Sequence, residues 1–108
     1  MSDAWEGWWE PVEGSSSPKL HGKVEYEPSR DVDGTEIDLL VRDLDVADGE
    51  SVELLLDGQV VLAATVERGQ VREWLRSADG HAVPDLSRRT VELRHAGTVL
   101  ARAVLEPD

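Results

Sequence analysis

Short runs that alternate apolar and polar residues, separated by glycine-containing turns, constrain the fold of this chain more than any other feature. Ile37, Leu39 and Val41 share one side of such a run, and so do Val52, Leu54 and Leu56 in the next. A period of two is the pattern of a β-strand buried on one face. Glycine follows each of five residues between the apolar runs: Asp33, Asp48, Asp57, Asp79 and Ala96. The sequence therefore predicts an all-β fold with about seven short antiparallel strands in an immunoglobulin-like β-sandwich, or alternatively a small β-barrel.

Two segments of the chain resemble each other. Residues 52–66 (VELLLDGQVVLAATV) aligned with residues 91–105 (VELRHAGTVLARAVL), at an offset of 39, share six identical positions. Each segment reads as a β-hairpin with a glycine turn. One interpretation is an internal repeat that places the two hairpins in approximate two-fold symmetry. The other is that any two amphipathic hairpins share valine, leucine and a turn glycine.

The length of 108 residues allows one modest hydrophobic core. We predict a single β-sandwich domain over residues 21–108, preceded over residues 1–20 by a Trp-rich acidic arm and a Ser/Pro linker. The chain contains no cysteine, so disulfides and thiolate metal sites are excluded. There is no apolar run of the roughly 18 residues that a spanning helix needs, and the start of the chain lacks the pattern of a signal peptide. The expected location is the cytoplasm, or the interior of an intracellular or virion particle.

The net charge of −12 is unevenly distributed along the chain. Residues 25–57 contain twelve acidic residues and two arginines, whereas residues 58–108 contain seven of each sign. Binding to phosphate backbones depends mainly on Lys and Arg, so direct nucleic-acid binding is disfavoured. The pattern favours a protein partner or self-association, and no membrane contact. General adaptation to high salt is another interpretation, although the balanced second half argues against it.

Metal and catalytic motifs are weak or missing in the sequence. The three histidines are too far apart in sequence to form a zinc pair on one strand or helix. The acidic stretch RDLDVADGES imitates a calcium loop, but it has one residue too many before the third carboxylate and no closing Glu. Its four carboxylates are a weak calcium candidate: Asp43, Asp45, Asp48 and Glu50. There is no nucleophile elbow or phosphate-binding glycine loop, so we expect a non-enzyme without a cofactor.

Trp74 lies between two arginines in the predicted strand QVREWLR. If Val71 and Leu75 face the core, then Arg72, Trp74 and Arg76 lie on the outer face, where guanidinium groups can stack on the indole and contact a partner. In the opposite phase Trp74 points inward. A core without phenylalanine needs large side chains, so the sequence slightly favours the inward phase.

The arm places Trp5, Trp8 and Trp9 at i, i+3 and i+4, a spacing that gathers three indoles on one face of a helical turn. Gly7 and Pro11 oppose a helix there, so the segment should become ordered only against a surface. That surface is either an open end of the chain's own sandwich or another molecule. The Gly-Ser-Ser-Ser-Pro linker slightly favours the second alternative, because a flexible spacer lets an anchor reach away from the domain.

These features together predict a non-enzymatic structural or interaction protein that docks onto a larger assembly. A capsid decoration protein or a peripheral complex subunit has this design, with Trp5, Trp8 and Trp9 as the anchor and Arg72, Trp74 and Arg76 as a further contact. The alternative is an acidic inhibitor that mimics nucleic-acid charge and binds a basic protein groove. It predicts that the carboxylates between Glu25 and Asp57 lie on one continuous face.

Overall fold

The alternating runs form antiparallel strands. A computed structural model describes residues 4–28 and 34–108. Asp33, the residue before one of the five turn glycines, lies outside the described residues, and so do Asp3 and Asp31. The strands in the described part of the chain are β1 (Trp5–Trp8), β2 (Glu10–Pro11), β3 (His21–Glu27), β4 (Glu36–Arg42), β5 (Ser51–Leu56), β6 (Gln59–Thr65), β7 (Val71–Arg76), β8 (Thr90–His95), β9 (Thr98–Val104) and β10 (Glu106–Pro107).

The strands form two antiparallel sheets that pack as a sandwich. Sheet A has the strand order β10-β1-β3-β4-β7, and sheet B has the order β2-β9-β8-β5-β6. Every pairing between neighbouring strands is antiparallel. The predicted all-β sandwich is therefore confirmed in preference to a barrel, and the arrangement is consistent with the immunoglobulin-like type.

The hydrophobic core lies between the two sheets. Alternation along β4 buries Ile37, Leu39 and Val41 completely, and β5 and β8 contribute Leu54 and Leu93 from the other sheet. The longest irregular connection, residues 80–89, adds Leu86, which is also fully buried. Burial of such aliphatic side chains stabilises the fold by about 1.5–3 kcal/mol each, so the core can hold without disulfides.

The N-terminal segment belongs to both sheets. β1 pairs with β3 and β10 in sheet A, and β2 pairs with β9 in sheet B. The chain crosses from one sheet to the other at Trp9, whose backbone N–H donates to the Gly22 carbonyl oxygen at 2.9 Å. A Cβ atom on Gly7 would lie 2.9 Å from the Val104 carbonyl oxygen, so this crossing requires a residue without a side chain.

Residues 12–20, part of the predicted arm and linker over residues 1–20, also pack on the sandwich. The Val12 N–H donates to the Leu100 carbonyl oxygen at 3.0 Å, and Leu20 is buried in the core. Ser17 is fully buried, and its Oγ accepts a hydrogen bond of 2.9 Å from the Asp45 N–H. These contacts fix the segment from Ala4 to Leu20 against the two sheets.

The two similar hairpins are related by a local two-fold axis in sheet B. β5 and β8 are neighbours, and Leu54 pairs directly with Leu93, its equivalent at the offset of 39. The register of β5 with β6 shifts between Leu54 and Leu55, and that of β8 with β9 shifts at the equivalent step between Leu93 and Arg94. Shared register, bulge and turn position support the interpretation of an internal repeat.

None of the helical structure in the described ranges, 4–28 and 34–108, is long and apolar enough to cross a membrane.

Candidate interaction surface

The outer face of sheet A brings together side chains from five strands. Strand register places Trp8, Lys23, Leu40 and Arg72 in one row across β1, β3, β4 and β7. The next row contains Glu106, Glu6, Glu25, Asp38 and Trp74. The third row contains Glu27, Glu36 and Arg76. We refer to these residues as the outer face of sheet A.

Four carboxylates lie side by side in the second row, one on each of four adjacent strands. We refer to Glu106, Glu6, Glu25 and Asp38 as the carboxylate row. Neighbouring strands are about 4.8 Å apart, and like charges directly opposite each other are destabilising. Lys23 pairs with Glu25, and an Arg72 guanidinium nitrogen lies 3.8 Å from Asp38. Among the described residues no ion pair neutralises Glu6 or Glu106, so the row keeps an excess of negative charge.

Asp38 is the most constrained carboxylate of the row. Its Oδ1 atom is buried and has no hydrogen-bond partner within the described part of the chain. Burial raises the pKa of Asp38 above its usual 3.8, and the charges of Glu25 and Glu36 raise it further against the attraction of Arg72 and Lys23. The ionised form of Asp38 is therefore held at a cost to stability.

Trp74 lies on the outer face, where it is flanked by two guanidinium groups. Its side chain is 37% exposed, and the guanidinium carbons of Arg72 and Arg76 lie 4.9 Å and 5.2 Å from the ring centroid. The inward phase that the sequence slightly favoured is wrong. The reason is the register of β7, which places Leu75 beside the buried Ile37 and Val71 beside the buried Val41.

The Arg72–Trp74–Arg76 ladder is anchored to β4 by ion pairs. Arg76 donates from Nε to Glu36 at 3.2 Å, and Arg72 approaches Asp38 on the same strand. The two ion pairs thus hold both guanidinium groups against the indole ring, in geometry suited to cation–π contact. This arrangement leaves a planar, cationic and partly exposed platform at the edge of sheet A.

Trp8 lies at the opposite end of the same face and is the most exposed large hydrophobic residue that the structure describes, at 63%. The Lys23 ammonium nitrogen lies 5.8 Å from the centroid of its ring. A hydrogen bond to Glu25 raises the pKa of Lys23, which keeps this ammonium charged. Three strand spacings, about 14 Å, separate β1 from β7. Trp74 thus lies at one end of the carboxylate row, and Trp8 lies in the adjacent row, on the strand of Glu6.

A shallow cavity of about 280 Å³ opens beside Trp8. Its walls combine two exposed apolar side chains, Trp8 and Val104, with charged groups. The charged lining residues are Glu6, Glu10, Arg102 and Glu106. An apolar floor with a predominantly acidic rim is suited to the aliphatic stem and charged head of a lysine or arginine side chain.

The other two tryptophans of the N-terminal segment do not reach the surface in the same way. Trp9 is only 4% exposed and belongs to the core, and its indole Nε1 is buried without a hydrogen-bond partner in the described residues. Trp5 is partly buried against the core, with the Arg88 guanidinium carbon 5.8 Å from its ring. The predicted three-indole anchor is therefore divided, because extended strand geometry alternates side chains between two faces. Of the three, Trp8 alone faces outward.

The four weak calcium candidates each have a different environment. Asp43 lies 3.2 Å from His21, and Glu50 lies 3.3 Å from His95. Asp48 accepts a 2.7 Å hydrogen bond from the Arg68 N–H, while Asp45 donates its backbone N–H to Ser17. Over residues 4–28 and 34–108 no three His, Cys, Asp or Glu side chains are grouped so that they could hold a metal ion.

Two glutamates on the outer face of sheet B pair with arginines. Arg94 contacts Glu53 at 3.0 Å, and Arg102 contacts Glu92 at 2.9 Å. Glu53 therefore faces away from Glu25 and Asp38, on the opposite side of the sandwich. The described carboxylates between Glu25 and Asp57 are therefore divided between the two sides of the sandwich.

No single stretch of sequence could reveal the carboxylate row. Its four members come from distant parts of the chain and become neighbours only through the pairing of β10, β1, β3 and β4. Comparison with known proteins assigns no function: no protein-family model and no curated protein matches the chain. A functional interpretation must therefore rest on the geometry of this face.

Proposed function

We propose that this chain is a non-enzymatic interaction subunit that docks onto a larger protein assembly through the outer face of sheet A. The observation that carries the proposal is that Trp8 and Trp74 are both exposed and lie on opposite sides of the outer face of sheet A. Tryptophan and arginine are the residues most enriched at energetic centres of protein interfaces. The role resembles that of a capsid decoration protein or a peripheral complex subunit.

The two tryptophans supply apolar contact area. An indole can bury on the order of 200 Å². Val104 extends the apolar surface beside Trp8, and Leu40 lies in the same row as Trp8, on the far side of Lys23. An exposed tryptophan on a monomer is a cost to solubility unless it serves a contact. Trp9 fills the core, whereas Trp8 is largely exposed, and this exposure supports a role of Trp8 in docking.

The carboxylate row indicates the chemistry of the partner surface. Glu6 and Glu106 line the cavity beside Trp8, and burial raises the pKa of Asp38, so its ionised form is costly to hold. Cationic groups of a partner relieve the repulsion among these carboxylates, and this relief contributes to the free energy of binding. The partner surface we expect is basic, with a lysine or arginine that enters the cavity beside Trp8.

An affinity capture with matched variants tests the proposal. The full chain, the double variant Trp8→Ala/Trp74→Ala and the control Val60→Ala are used to capture partners from extracts of the source cells. Val60 is 49% exposed but lies in sheet B, so its loss removes exposed apolar area away from the docking face. We expect the double variant to lose the partner, with each tryptophan worth about 2 kcal/mol, or roughly 30-fold in affinity.

Salt dependence separates docking from charge mimicry. If the captured complex survives about 1 M salt, where charge attraction is screened beyond roughly 3 Å, the tryptophans provide most of the affinity. A complex that dissociates at that salt concentration and is unaffected by the double variant contradicts the proposal and favours an acidic inhibitor. A complex lost equally by Val60→Ala shows that general apolar exposure, and not this face, is responsible.

A further inference from the structure

The two sheets have four edge strands, and three of them are protected against pairing with another chain. β10 and β2 are two residues long, and each contains a proline, Pro107 and Pro11. β7 has charged side chains along its length. β6 is different: its seven residues, QVVLAAT, include no charge, proline or glycine. Short length, charge, proline and bulges are the usual protections of sheet edges, and β6 has only a bulge, at Val61 near its start.

The local two-fold axis relates the outer edge of β6 to the outer edge of β9, which pairs with another strand. On β9, the outer edge is covered by β2, with Glu10 opposite Arg102, Pro11 opposite Ala101 and the Val12 N–H donating to the Leu100 carbonyl oxygen. At the offset of 39, the equivalents of Leu100, Ala101 and Arg102 on β6 are Val61, Leu62 and Ala63. In the described residues β6 pairs with β5 alone. The outer edge of β6 is therefore unpaired, whereas the equivalent edge of β9 pairs with an antiparallel strand.

We propose that β6 forms the interface of a homodimer, in which β6 of a second copy adds in antiparallel orientation and joins the two B sheets into one. The two-fold axis of the dimer passes near Ala63, one of two exposed residues in the regular part of β6. The extra residue of the bulge opposite Leu54 and Leu55 is Val61, so pairing about this axis, from Leu62 to Ala64, is undisturbed. A two-fold interface of this kind is self-complementary by symmetry.

Charge is the argument for a second copy over a strand of another protein like β2. Glu10 of β2 meets a cation on β9, but Ala63 offers no charge to a β2-like segment. Two chains of net charge −12 repel each other, and this repulsion is weakest where both surfaces are uncharged. The half-buried Val61 adds apolar area to the same edge. An uncharged, apolar strand is thus complementary to itself.

Light scattering on the full chain tests the dimer directly. We expect the mass to rise from 11.9 kDa toward twice that value as the concentration increases from about 1 μM to 1 mM. Thr65→Lys should weaken dimerisation at least tenfold, because it places two lysines at the interface. Thr90→Lys is the matched control: Thr90 is also an exposed strand threonine, but it lies in β8 at the centre of sheet B. Both variants reduce the net negative charge equally, so a difference between them locates the interface.

A cross-link keeps the test informative if Thr65→Lys does not fold. The natural chain has no cysteine, so Ala63→Cys introduces a single thiol. We expect mild oxidation to link two copies of Ala63→Cys, since paired residues across an antiparallel interface are within disulfide reach, and not to link Thr90→Cys. A wild-type mass of 11.9 kDa at every concentration overturns the proposal. So does a dimer that Thr65→Lys leaves intact, or one that Ala63→Cys does not link.

Discussion

Leu54 and Leu93 are directly paired at the centre of sheet B and occupy equivalent positions in two hairpins that share their bulge, their turn position and six identical residues. Both side chains are fully buried. The pairing of a residue with its own equivalent defines a local two-fold axis. The hairpins therefore meet the core and each other in the same way, and their energetic contributions should be similar and coupled.

We expect Leu54→Ala and Leu93→Ala to lower the free energy of unfolding by similar amounts, each about 3 kcal/mol. Because the two residues are direct neighbours, the double variant should be less destabilised than the sum of the single variants, by at least about 0.5 kcal/mol. Urea unfolding of the four chains measures both quantities. Additive effects would show that the two leucines do not share one packing site.

Adjacent tryptophans in the N-terminal segment should respond oppositely to truncation. Trp9→Ala removes a core side chain that is 4% exposed and should cost about 3–5 kcal/mol, whereas Trp8→Ala removes one that is 63% exposed and should change stability by less than about 0.5 kcal/mol. Chemical unfolding followed by circular dichroism gives both values. Equal costs would contradict the assignment of Trp9 to the core and Trp8 to the docking face.

The sequence predicted the seven longest strands because each one has its own local signal. In KVEYE, which became part of β3, Val24 and Tyr26 alternate with charged residues and both are buried. β1, β2 and β10 were missed, since they are short strands whose extended form depends on a neighbouring strand rather than on their own pattern. In WEGW, tryptophan spacing indicated a helical turn, but pairing with β3 and β10 satisfies the backbone instead.

The same limit applies to the candidate site. The Arg72–Trp74–Arg76 spacing was visible in the sequence, but the face of the strand on which these side chains lie was not. Which residues share a face across strands depends on register, and register is set by burial of the whole sheet. Glu6 and Glu106 stand at opposite ends of the sequence and next to each other in sheet A, so no local pattern could link them.

Asp38→Asn should increase stability near neutral pH. The folded-state pKa of Asp38 is raised, chiefly by burial, so the native protein binds this proton more tightly than the unfolded chain does. Ionisation of Asp38 therefore costs stability above its folded pKa, and that cost disappears as the pH falls below the unfolded value near 3.8. Thermal unfolding at several pH values should show a stabilised variant at pH 7 and convergence with wild type at acidic pH.

A second charge removal serves as the control for Asp38→Asn. Asp45 is exposed in the loop after β4, so Asp45→Asn removes one negative charge without a buried carboxylate. It should change stability by no more than about 0.5 kcal/mol at either pH. A stabilisation as large as that of Asp38→Asn would show that net charge, and not burial beside Glu25 and Glu36, is responsible.

Gly22 is required for close packing of β3 against β4. Its φ of +135° is rarely adopted by other residues, and a Cβ there would overlap the Leu40 carbonyl oxygen. Gly49 also has a positive φ, +87°, but has nothing within 4 Å of an added Cβ. We expect Gly49→Ala to cost about 1–2 kcal/mol for the backbone conformation alone and Gly22→Ala to cost clearly more. Equal unfolding midpoints for the two variants would contradict a steric requirement at Gly22.

The β8–β9 turn can be improved by copying the chemistry of its symmetry equivalent. Ala96 and Gly97 have φ values of 47° and 81°, and Asp57 and Gly58 in the β5–β6 turn have nearly the same values, 52° and 79°. Positive φ at both central residues is the type I′ pattern, which favours Asn-Gly and Asp-Gly. Alanine is strained in this conformation, so Ala96→Asn should raise the free energy of unfolding by about 0.5–1 kcal/mol.

The reciprocal change provides the control for the turn. Asp57→Ala should destabilise by about 1 kcal/mol or more, because it introduces the strained alanine and also removes the ion pair with Arg89. Asp57→Asn keeps the turn preference and loses only the ion pair, which is exposed and should contribute less than about 1 kcal/mol. The order of stability expected from urea unfolding is Ala96→Asn above wild type, then Asp57→Asn, then Asp57→Ala. If Ala96→Asn is neutral, the positive φ at Ala96 carries no strain and the two turns are equivalent in shape but not in energy.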